Sequence, residues 1–207
     1  MPRIGVRQQT ALLRANVDAL AEEVVREQTA APAGRACLVV LVGLPASGKS
    51  HFAALLAERT GAVVVATDAL RRRLFIAPSY VREESRTIFA LARAVARRLL
   101  ARGHVAVVDA TNLREADRLP LYAVARTERA PLVVVRVVAP EDAIRARLAV
   151  RSSRASSRDA SDADWDVYQL MLDRYEEPSV PFLTVDTATD LEGGLSRTEE
   201  AIRCAAG

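Results

Sequence analysis

The chain has 207 residues, which is enough for one complete α/β domain and a small appendage. Half of the residues are hydrophobic and 27% are charged, a balance that excludes a disordered or fibrous protein. The net charge of +3 is scattered along the chain, so it points to no particular partner.

The apolar runs and the cysteines indicate a compartment. The longest uncharged apolar runs, such as that from Cys37 to Pro45, have the length of strands and are too short to cross a bilayer. The N-terminus carries charges among its apolar residues and lacks the apolar stretch of a signal peptide. The spacing of Cys37, Cys204, His51 and His104 is typical of neither a disulfide framework nor a zinc site. These features predict a cytoplasmic protein that does not enter a membrane.

Residues 1–35 are predicted to form an N-terminal helix and a linker. The helix runs from about Val6 to Thr29, and residues 30–35 contain Pro32 and Gly34, which favour a linker. The helix could pack on the rest of the chain or form a dimer contact, and the sequence leaves both alternatives and the oligomeric state open. Its apolar stripe consists of Leu13, Val17, Leu20 and Val24.

Residues 36–207 alternate between strands and helices and form the predicted main domain. The first strand, Cys37 to Val42, is a continuous apolar run, as expected of a parallel strand that is buried on both faces. Five strands separated by helices predict an α/β fold, with a five-stranded parallel sheet covered by helices on both faces. The other predicted strands are Ala62–Ala66, Val105–Val108, Leu132–Val138 and Phe182–Val185. Helices are predicted over about Lys49–Thr60, Arg82–Arg102, Arg114–Glu128, Glu141–Val150, Ala163–Tyr175 and Ser196–Ala205, with a short helical stretch after the second strand.

The segment Gly43 to Ser50, GLPASGKS, matches the Walker A pattern Gly-x-x-x-x-Gly-Lys-[Ser/Thr]. It follows a buried strand and opens a helix, which is the context that the motif requires. The glycines let the backbone bend around phosphate oxygens, and the loop amides and the helix N-terminus present donors to the anion. Lys49 would reach the β- and γ-phosphates, and the Ser50 hydroxyl would ligate Mg²⁺. The sequence therefore predicts a P-loop NTPase fold that binds ATP and Mg²⁺, with the candidate nucleotide-binding residues Gly43, Ala46, Ser47, Gly48, Lys49, Ser50 and His51.

The use of basic residues supports this interpretation of Lys49. Of the 29 basic residues, 28 are arginine, and Lys49 is the one lysine of the chain. The planar fork of arginine cannot replace a compact ammonium group inside a phosphate-binding loop. A glycine-rich turn without a ligand is the alternative, and it leaves the position of this lysine unexplained.

Asp68 and Arg71 follow the second predicted strand in the segment TDALRRRL. The carboxyl ends of parallel strands meet at the edge where the first strand delivers the phosphate loop. There Asp68 could take a proton from an acceptor hydroxyl, while Arg71 orients the acceptor or a neighbouring phosphate. An Asp before a solvated basic turn is also typical of a helix N-cap, and the spacing leaves both interpretations open.

Asp109 follows the four apolar residues of the third predicted strand in the segment VVDATNL. A carboxylate at such a position can hold magnesium, directly or through water. No acidic residue follows Asp109, whereas many ATP-hydrolysing motors have a catalytic Glu there, so the pattern favours transfer to a bound hydroxyl. Asn112 is also explained as a turn residue.

Together, the segments GLPASGKS, TDALRRRL and VVDATNLREADR resemble the P-loop kinases related to polynucleotide 5′-hydroxyl kinases and zeta-toxin-type kinases, which are AAA-domain ATP-binding proteins. The resemblance runs from about Cys37 to the C-terminus. It implies that Asp68 is the general base, that Arg71 contacts the acceptor side and that Asp109 belongs to the active site. The match extends, without a defined role, to Thr111, Asn112 and Arg118.

Residues from about 145 to 162 are predicted to form an arginine-rich lid. The segment RARLAVRSSRASSR carries five arginines, several at helical spacing, and residues 151–161 have the composition of a mobile surface segment. Arginines from a closing lid can stabilise charge on the γ-phosphoryl group. The resemblance favours Arg147 and Arg151 in this role, followed by Arg154. A solvated helix face is equally typical of so arginine-rich a chain.

The sequence as a whole predicts an ATP-dependent kinase that transfers the γ-phosphoryl group to a hydroxyl. A nucleic-acid 5′ end would require a basic groove with stacking aromatics, and only 4% of the residues are aromatic. A small-molecule acceptor is therefore at least as consistent, and Arg71 to Arg73 favour an anionic one. The alternative from another class is a nucleotide-binding switch or an ATPase without an acceptor. The candidate catalytic residues are Lys49, Asp68, Arg71, Asp109, Arg147 and Arg151, and the candidate metal ligands are Ser50 and Asp109.

Overall fold

Strands form where the sequence has short apolar runs, and helices form between them. The structure is a computed structural model that describes residues 16–27, 36–75, 81–154 and 160–205. The strands are β1 (Cys37–Val42), β2 (Val63–Ala66), β3 (Val105–Asp109), β4 (Leu132–Val138) and β5 (Phe182–Asp186). The helices are α1 (Val17–Glu27), α2 (Lys49–Thr60), α3 (Thr67–Leu74), α4 (Arg82–Ala101), α5 (Glu115–Thr127), α6 (Glu141–Arg154), α7 (Ala160–Leu172) and α8 (Leu191–Ala205).

The five strands form one parallel sheet in the order β2-β3-β1-β4-β5. β1 lies at the centre, between β3 and β4, so its carboxyl end has a neighbouring strand end on each side. The chain leaves β1 toward one edge of the sheet and later crosses to the other edge. In such sheets the ligand-binding crevice forms at the carboxyl ends, where the connections diverge. The predicted α/β fold with a five-stranded parallel sheet is confirmed.

The core occupies both faces of the sheet, as the alternating side chains of β1 show. Leu38, Val40 and Val42 belong to a buried cluster with residues of α1, α3, α4 and α5. Cys37 and Val39, with Leu41, belong to a second cluster, which α2 and α8 complete. All six residues of β1 are completely buried, which is why this strand reads as a continuous apolar run. Helices on both faces therefore hold β1 and the loop after it in a fixed position.

The N-terminal helix α1 packs along α4. Ala21 and Val25 of α1 are buried in the first cluster, with Val17 partly buried against it. At the rim, Arg98 of α4 bonds to Asp18 at 2.8 Å. The structure thus favours the packing alternative for the described part of the helix, whereas the predicted start at Val6 and Leu13 of the stripe lie outside the described residues.

The helices near the C-terminus differ from the prediction at their ends. α6 continues to Arg154 and α7 begins at Ala160, so the segment predicted to be mobile is helical at both ends, and its residues 155–159 lie outside the described residues. This segment contains many arginines and serines but no Gly or Pro that would end a helix. α8 begins at Leu191 rather than at Ser196, although it then contains a glycine pair. A Cβ on Gly194 would lie 2.3 Å from a methyl carbon of Val185, so this glycine permits close helix–strand packing rather than marking a break.

Among the described residues, no helix combines the length and the apolar character that crossing a membrane requires.

Candidate active site

The loop between β1 and α2 is shaped to surround an anion. Gly48 has φ 94°, Ala46 has φ 61°, and α2 begins directly afterwards at Lys49. Gly48 is also the N-cap of α2, and because glycine has no side chain, none accepts from the first helix amides there. These amides and the positive end of the helix are therefore available to phosphate oxygens.

Both loop glycines are required by close contacts. A Cβ on Gly43 would lie 2.4 Å from the main-chain oxygen of Val137, and one on Gly48 would lie 2.7 Å from Thr187 Oγ1. Such distances are far shorter than a normal carbon–oxygen contact, so a side chain at either position would displace the loop. The loop is thus pressed against the ends of β4 and β5, which fixes its curvature.

Lys49 lies inside the curve of this loop. Its side chain is largely buried, with 8% of the residue surface exposed, and its Nζ donates to the main-chain oxygen of Leu44 at 2.7 Å. The next two residues of α2, Ser50 and His51, are exposed at the same end of the helix. The structure therefore brings all seven predicted nucleotide-binding residues into one loop and the first turn of one helix.

Thr187, which follows β5, holds the phosphate loop in place through hydrogen bonds. Its hydroxyl donates to the main-chain oxygen of Ser47 at 2.7 Å, and its amide donates to that of Val138 at 2.9 Å. The same hydroxyl accepts from Arg147 Nη1 at 3.0 Å. Thr187 was not among the predicted site residues, because a threonine 140 residues away along the chain gives no local signal of this contact.

Helix α6, which contains the first part of the predicted lid, lies directly on the phosphate loop. Arg147 Nη1 donates to the main-chain oxygen of Ala46 at 3.1 Å. Around this bond, Ala46 is buried in a small apolar cluster with Ile144 and Leu148 of α6 and Tyr168 of α7. Arg147 is thus the lid arginine that the structure brings to the phosphate loop.

The other arginines of α6 are Arg145, Arg151 and Arg154. The Arg145 guanidinium lies 3.6 Å from the centre of the Trp165 ring and bonds to Glu141, so it belongs to the α6–α7 packing. Arg151 and Arg154 lie in α6 with their backbones, but their side chains lie outside the described residues.

The two predicted carboxylates lie at one edge of the sheet. Asp109 ends β3 opposite Ala66 of β2, and its main-chain oxygen accepts from Thr67 Oγ1 at 3.3 Å. Asp68 follows as the second residue of α3, whose N-cap is Ala66. The helix-cap alternative for Asp68 is therefore not what the structure shows. Asp109 is buried, whereas Asp68 is exposed and its carboxylate accepts no hydrogen bond from any described residue.

Arg71 lies away from solvent, in an ion pair between helices. Its Nη1 bonds to the carboxylate of Glu84 in α4, and its Nη2 lies 3.4 Å from Ser85 Oγ. Both charged side chains are buried, with 6% of the Arg71 side chain and none of Glu84 exposed. Arg71 therefore joins α3 to α4, the helix that carries Glu84 and Ser85.

Asn112 and Arg118 hold the loop after β3. The Asn112 amide donates to the main-chain oxygen of Leu41 in β1 at 2.8 Å, from a backbone with φ 47°. Arg118 is completely buried and donates to the main-chain oxygens of residues 112, 113, 176 and 177 at 2.7 to 3.1 Å. The Thr111 main-chain oxygen accepts from the Gly43 amide at 3.1 Å. Asn112 and Thr111 thus join the loop after β3 to β1 and the phosphate loop, and Arg118 joins it to residues 176 and 177.

The oxygen donors present fit a magnesium ion that is bound together with a nucleotide. Among the described residues, no group of three or more His, Cys, Asp or Glu side chains could hold a metal by itself. Mg²⁺ is commonly bound by one or two protein oxygens together with substrate phosphates and water. The Ser50 hydroxyl at the start of α2 and the Asp109 carboxylate at the end of β3 supply such a pair.

Comparisons with known proteins agree with this architecture. The model of the AAA domain family matches residues 38–178, which is more than half of the chain. The fold resembles the Mycobacterium tuberculosis APS kinase CysC in complex with AMPPNP and APS, with TM-score 0.65, 19% identity and coverage of 84% of this chain and 99% of that one. Chaetomium thermophilum Kti12 in complex with ADP-AlF3 gives TM-score 0.62 and 24% identity, with 82% and 99% covered. A gluconokinase from Sinorhizobium meliloti 1021 gives TM-score 0.57 and 22% identity, with 83% and 98% covered. At these identities the likeness shows the fold, and no curated protein gives a significant match.

Proposed function

The chain belongs to the AAA domain family, and on that premise we propose that it is an ATP-dependent kinase that transfers the γ-phosphoryl group to an alcohol group of a second substrate. The observation that carries the proposal is the shared edge of the sheet at which the phosphate loop, Asp109 and Asp68 meet. β1, β3 and β2 are adjacent in the sheet, so their carboxyl ends lie side by side. A phosphate donor and a proton acceptor at neighbouring strand ends are what phosphoryl transfer requires.

On the donor side, the α2 amides and Lys49 bind the phosphates of ATP. Mg²⁺, bound through Ser50 and Asp109, would neutralise charge on the β- and γ-phosphate oxygens. Arg147 is the first candidate for stabilising the transferred group, because it already lies on the phosphate-loop backbone. Arg151, one turn further along α6, is the second. The lid role of residues 145–162 is part of this proposal.

On the acceptor side, Asp68 removes the proton of the attacking hydroxyl. Its exposed carboxylate lies in the first turn of α3 without a hydrogen-bonding partner among the described residues, so it is accessible to a substrate. The acceptor oxygen attacks the γ-phosphorus, the bond to the β-phosphate oxygen breaks, and the proton passes to Asp68. The buried ion pair supports Arg71 as a positioning residue for this helix.

Replacement of Asp68 by Asn tests this function. General bases contribute about 10²- to 10⁴-fold to rate, so we expect kcat for phosphoryl transfer to fall by about that factor in Asp68→Asn while ATP still binds. Asp142→Asn is the matched control, since Asp142 is an exposed aspartate at the same second position of its own helix, α6.

Two results would contradict the proposal. Normal transfer by Asp68→Asn would exclude it as the base. Slow ATP hydrolysis that no acceptor stimulates, and that Asp68→Asn does not change, would instead favour a nucleotide-binding switch or an ATPase without an acceptor.

A further inference from the structure

A large cleft lined by arginines opens beside the phosphate loop. It consists of two adjoining cavities of about 710 and 570 Å³, which share Arg82, Thr111, Arg114 and Asp117. The walls come from α4, from α5 and the loop before it, and from the end of α7. We call this space the arginine cleft.

The arginine cleft adjoins elements of both halves of the proposed reaction site. Thr111 lines both cavities, and its main-chain oxygen accepts from the Gly43 amide at 3.1 Å, so the cleft adjoins the phosphate loop. Ser85 lines the second cavity, and its hydroxyl lies 3.4 Å from Arg71 Nη2. Arg71 belongs to α3, the helix that carries Asp68. The cleft therefore adjoins a residue that contacts the phosphate loop and a residue that contacts the helix of the proposed base, although neither Asp68 nor a phosphate-loop residue lines it.

The charge of the cleft is strongly positive. Of the described residues, five arginines and a single carboxylate line the two cavities: Arg82, Arg86, Arg93, Arg114, Arg174 and Asp117. Asp117 is paired with Arg114 at 3.2 Å, and this partly exposed pair is weak. None of the other four arginines forms an ion pair with a described residue. Burial lowers the pKa of Arg93, as expected for a half-buried guanidinium without a carboxylate beside it.

The carboxylates just outside the cleft already have partners. Glu115 accepts from Arg118 Nε at 2.7 Å, and the Ser179 hydroxyl donates to it as well. Glu176 accepts from the Glu115 amide at 2.7 Å. These acids hold the start of α5. Glu176 also acts on Arg114, whose pKa is raised first by Asp117 and then by Glu176, so the excess of positive charge in the cleft comes chiefly from the other four arginines.

From this arrangement we infer that the arginine cleft binds the acceptor, and that the acceptor is a small organic molecule carrying a phosphate, sulfate or carboxylate group besides its hydroxyl. Guanidinium forks bind such oxyanions with paired hydrogen bonds, and several arginines around one cavity have no other described use. This inference rests on the proposed kinase function and adds the chemical class of its second substrate.

The size and lining of the cleft favour a small molecule over a polynucleotide end. Each cavity lies within the range of about 300–1,000 Å³ that is typical of small-molecule sites. Leu113 and Met171 in one cavity, and Phe89 and Pro120 in the other, give apolar surface for the carbon skeleton. Among the described residues, Phe89 is the one aromatic side chain that lines them, whereas sites for single strands combine a tracking groove with several stacking aromatics.

A transfer assay with matched acceptors tests the inference. Labelled ATP is supplied with pairs that differ only in an anionic group, such as a sugar and its phosphate ester or a nucleoside and its monophosphate, and with a 5′-hydroxyl oligonucleotide. We expect the anionic member of a pair to have the higher kcat/KM. Equal use of both members, preference for the neutral one, or the oligonucleotide as best acceptor would overturn the inference and leave the kinase proposal standing.

A binding measurement without turnover separates the two proposals. With the phosphate loop filled by AMPPNP and Mg²⁺, sulfate is titrated by calorimetry into wild type, into an Arg82→Ala/Arg114→Ala double variant and into Arg126→Ala. Arg126 is an exposed arginine of the same helix α5 that does not line the cleft. We expect the double variant to lose affinity about tenfold or more for each arginine removed, and Arg126→Ala to behave as wild type. Unchanged sulfate affinity in the double variant would refute the anion site. Arginine-dependent sulfate binding without transfer to any acceptor would refute the kinase and support the anion site.

Discussion

The buried ion pair between Arg71 and Glu84 allows a quantitative test of how α3 is held. Both side chains are withdrawn from solvent, so removal of one leaves the other charge buried without this ion pair. Breaking such a pair costs about 3–5 kcal/mol. For a protein of 207 residues, each kcal/mol corresponds to about 2–4 °C in Tm. We therefore expect Arg71→Met or Glu84→Leu alone to lower Tm by roughly 6–20 °C.

The double variant should behave differently from either single variant. Replacing both members of a buried pair by apolar residues of similar volume is often neutral or stabilising. Arg71→Met/Glu84→Leu should therefore melt well above both single variants, with a coupling free energy of about 3 kcal/mol in a double-mutant cycle of urea unfolding. The reasoning is refuted if Arg71→Met melts within about 2 °C of wild type, a shift that corresponds to less than about 1 kcal/mol.

The same double variant separates positioning from acceptor contact. If Arg71 acts only by holding α3, recovered stability should bring recovered phosphoryl transfer. A variant that regains its Tm but keeps a raised KM for the acceptor would instead support the direct contact that the family resemblance implies. ATP affinity serves as the internal control, because the phosphate loop is built by other elements.

Two further variants test the phosphate loop and the loop after β3. Gly48→Ala adds a Cβ at φ 94° and 2.7 Å from a hydroxyl oxygen, so calorimetry should show at least a tenfold loss of ATP affinity. The control is Gly61→Ala, at φ 67° with no atom within 4 Å, which should lose only about 1 kcal/mol of stability and bind ATP normally. Equal ATP affinity in both variants would contradict the role of the close contact. Burial raises the pKa of Glu115, but hydrogen bonds from Ser179 and Arg118 outweigh burial and bring this pKa below its ordinary value. The folded state therefore binds fewer protons, and the stabilisation is complete above about pH 4.3 and is lost as the pH falls further. The difference in free energy of unfolding between wild type and Glu115→Gln should shrink below that pH in acid titrations of urea unfolding, and a constant difference would argue against this linkage.

The sequence predicted those parts of the molecule that local patterns determine. β1 reads as a continuous apolar run because both of its faces are covered, and the phosphate loop is recognisable because Gly48 and Lys49 serve the loop in which they lie. Asp68 and Asp109 were expected at one edge because parallel strands bring their carboxyl ends together. The bond between Thr67 and the main chain of Asp109 shows that the two strand ends are adjacent.

What the sequence could not give depends on contacts between distant segments. Arg71 and Glu84 are 13 residues apart on different helices, and nothing in the composition shows that both charges are buried. Arg118 was noted only as part of a motif, yet its guanidinium reaches main-chain oxygens 58 and 59 residues further along the chain. The start of α8 was missed because Gly194 resembles a helix breaker until Val185 is seen against it.

The two proposed anion sites give a physical reason for the arginine bias of the chain. Lys49 is enclosed by the phosphate loop, where a compact ammonium fits and a planar fork does not. The cleft arginines surround an open cavity, where fork geometry can grip an oxyanion from several sides. An anionic acceptor beside ATP would be repelled by the nucleotide phosphates, and this repulsion would oppose the close approach that in-line attack needs. A cleft in which arginines far outnumber carboxylates offsets that repulsion. A kinase that brings two anions together would therefore require this positive lining, whereas a neutral acceptor would not account for it.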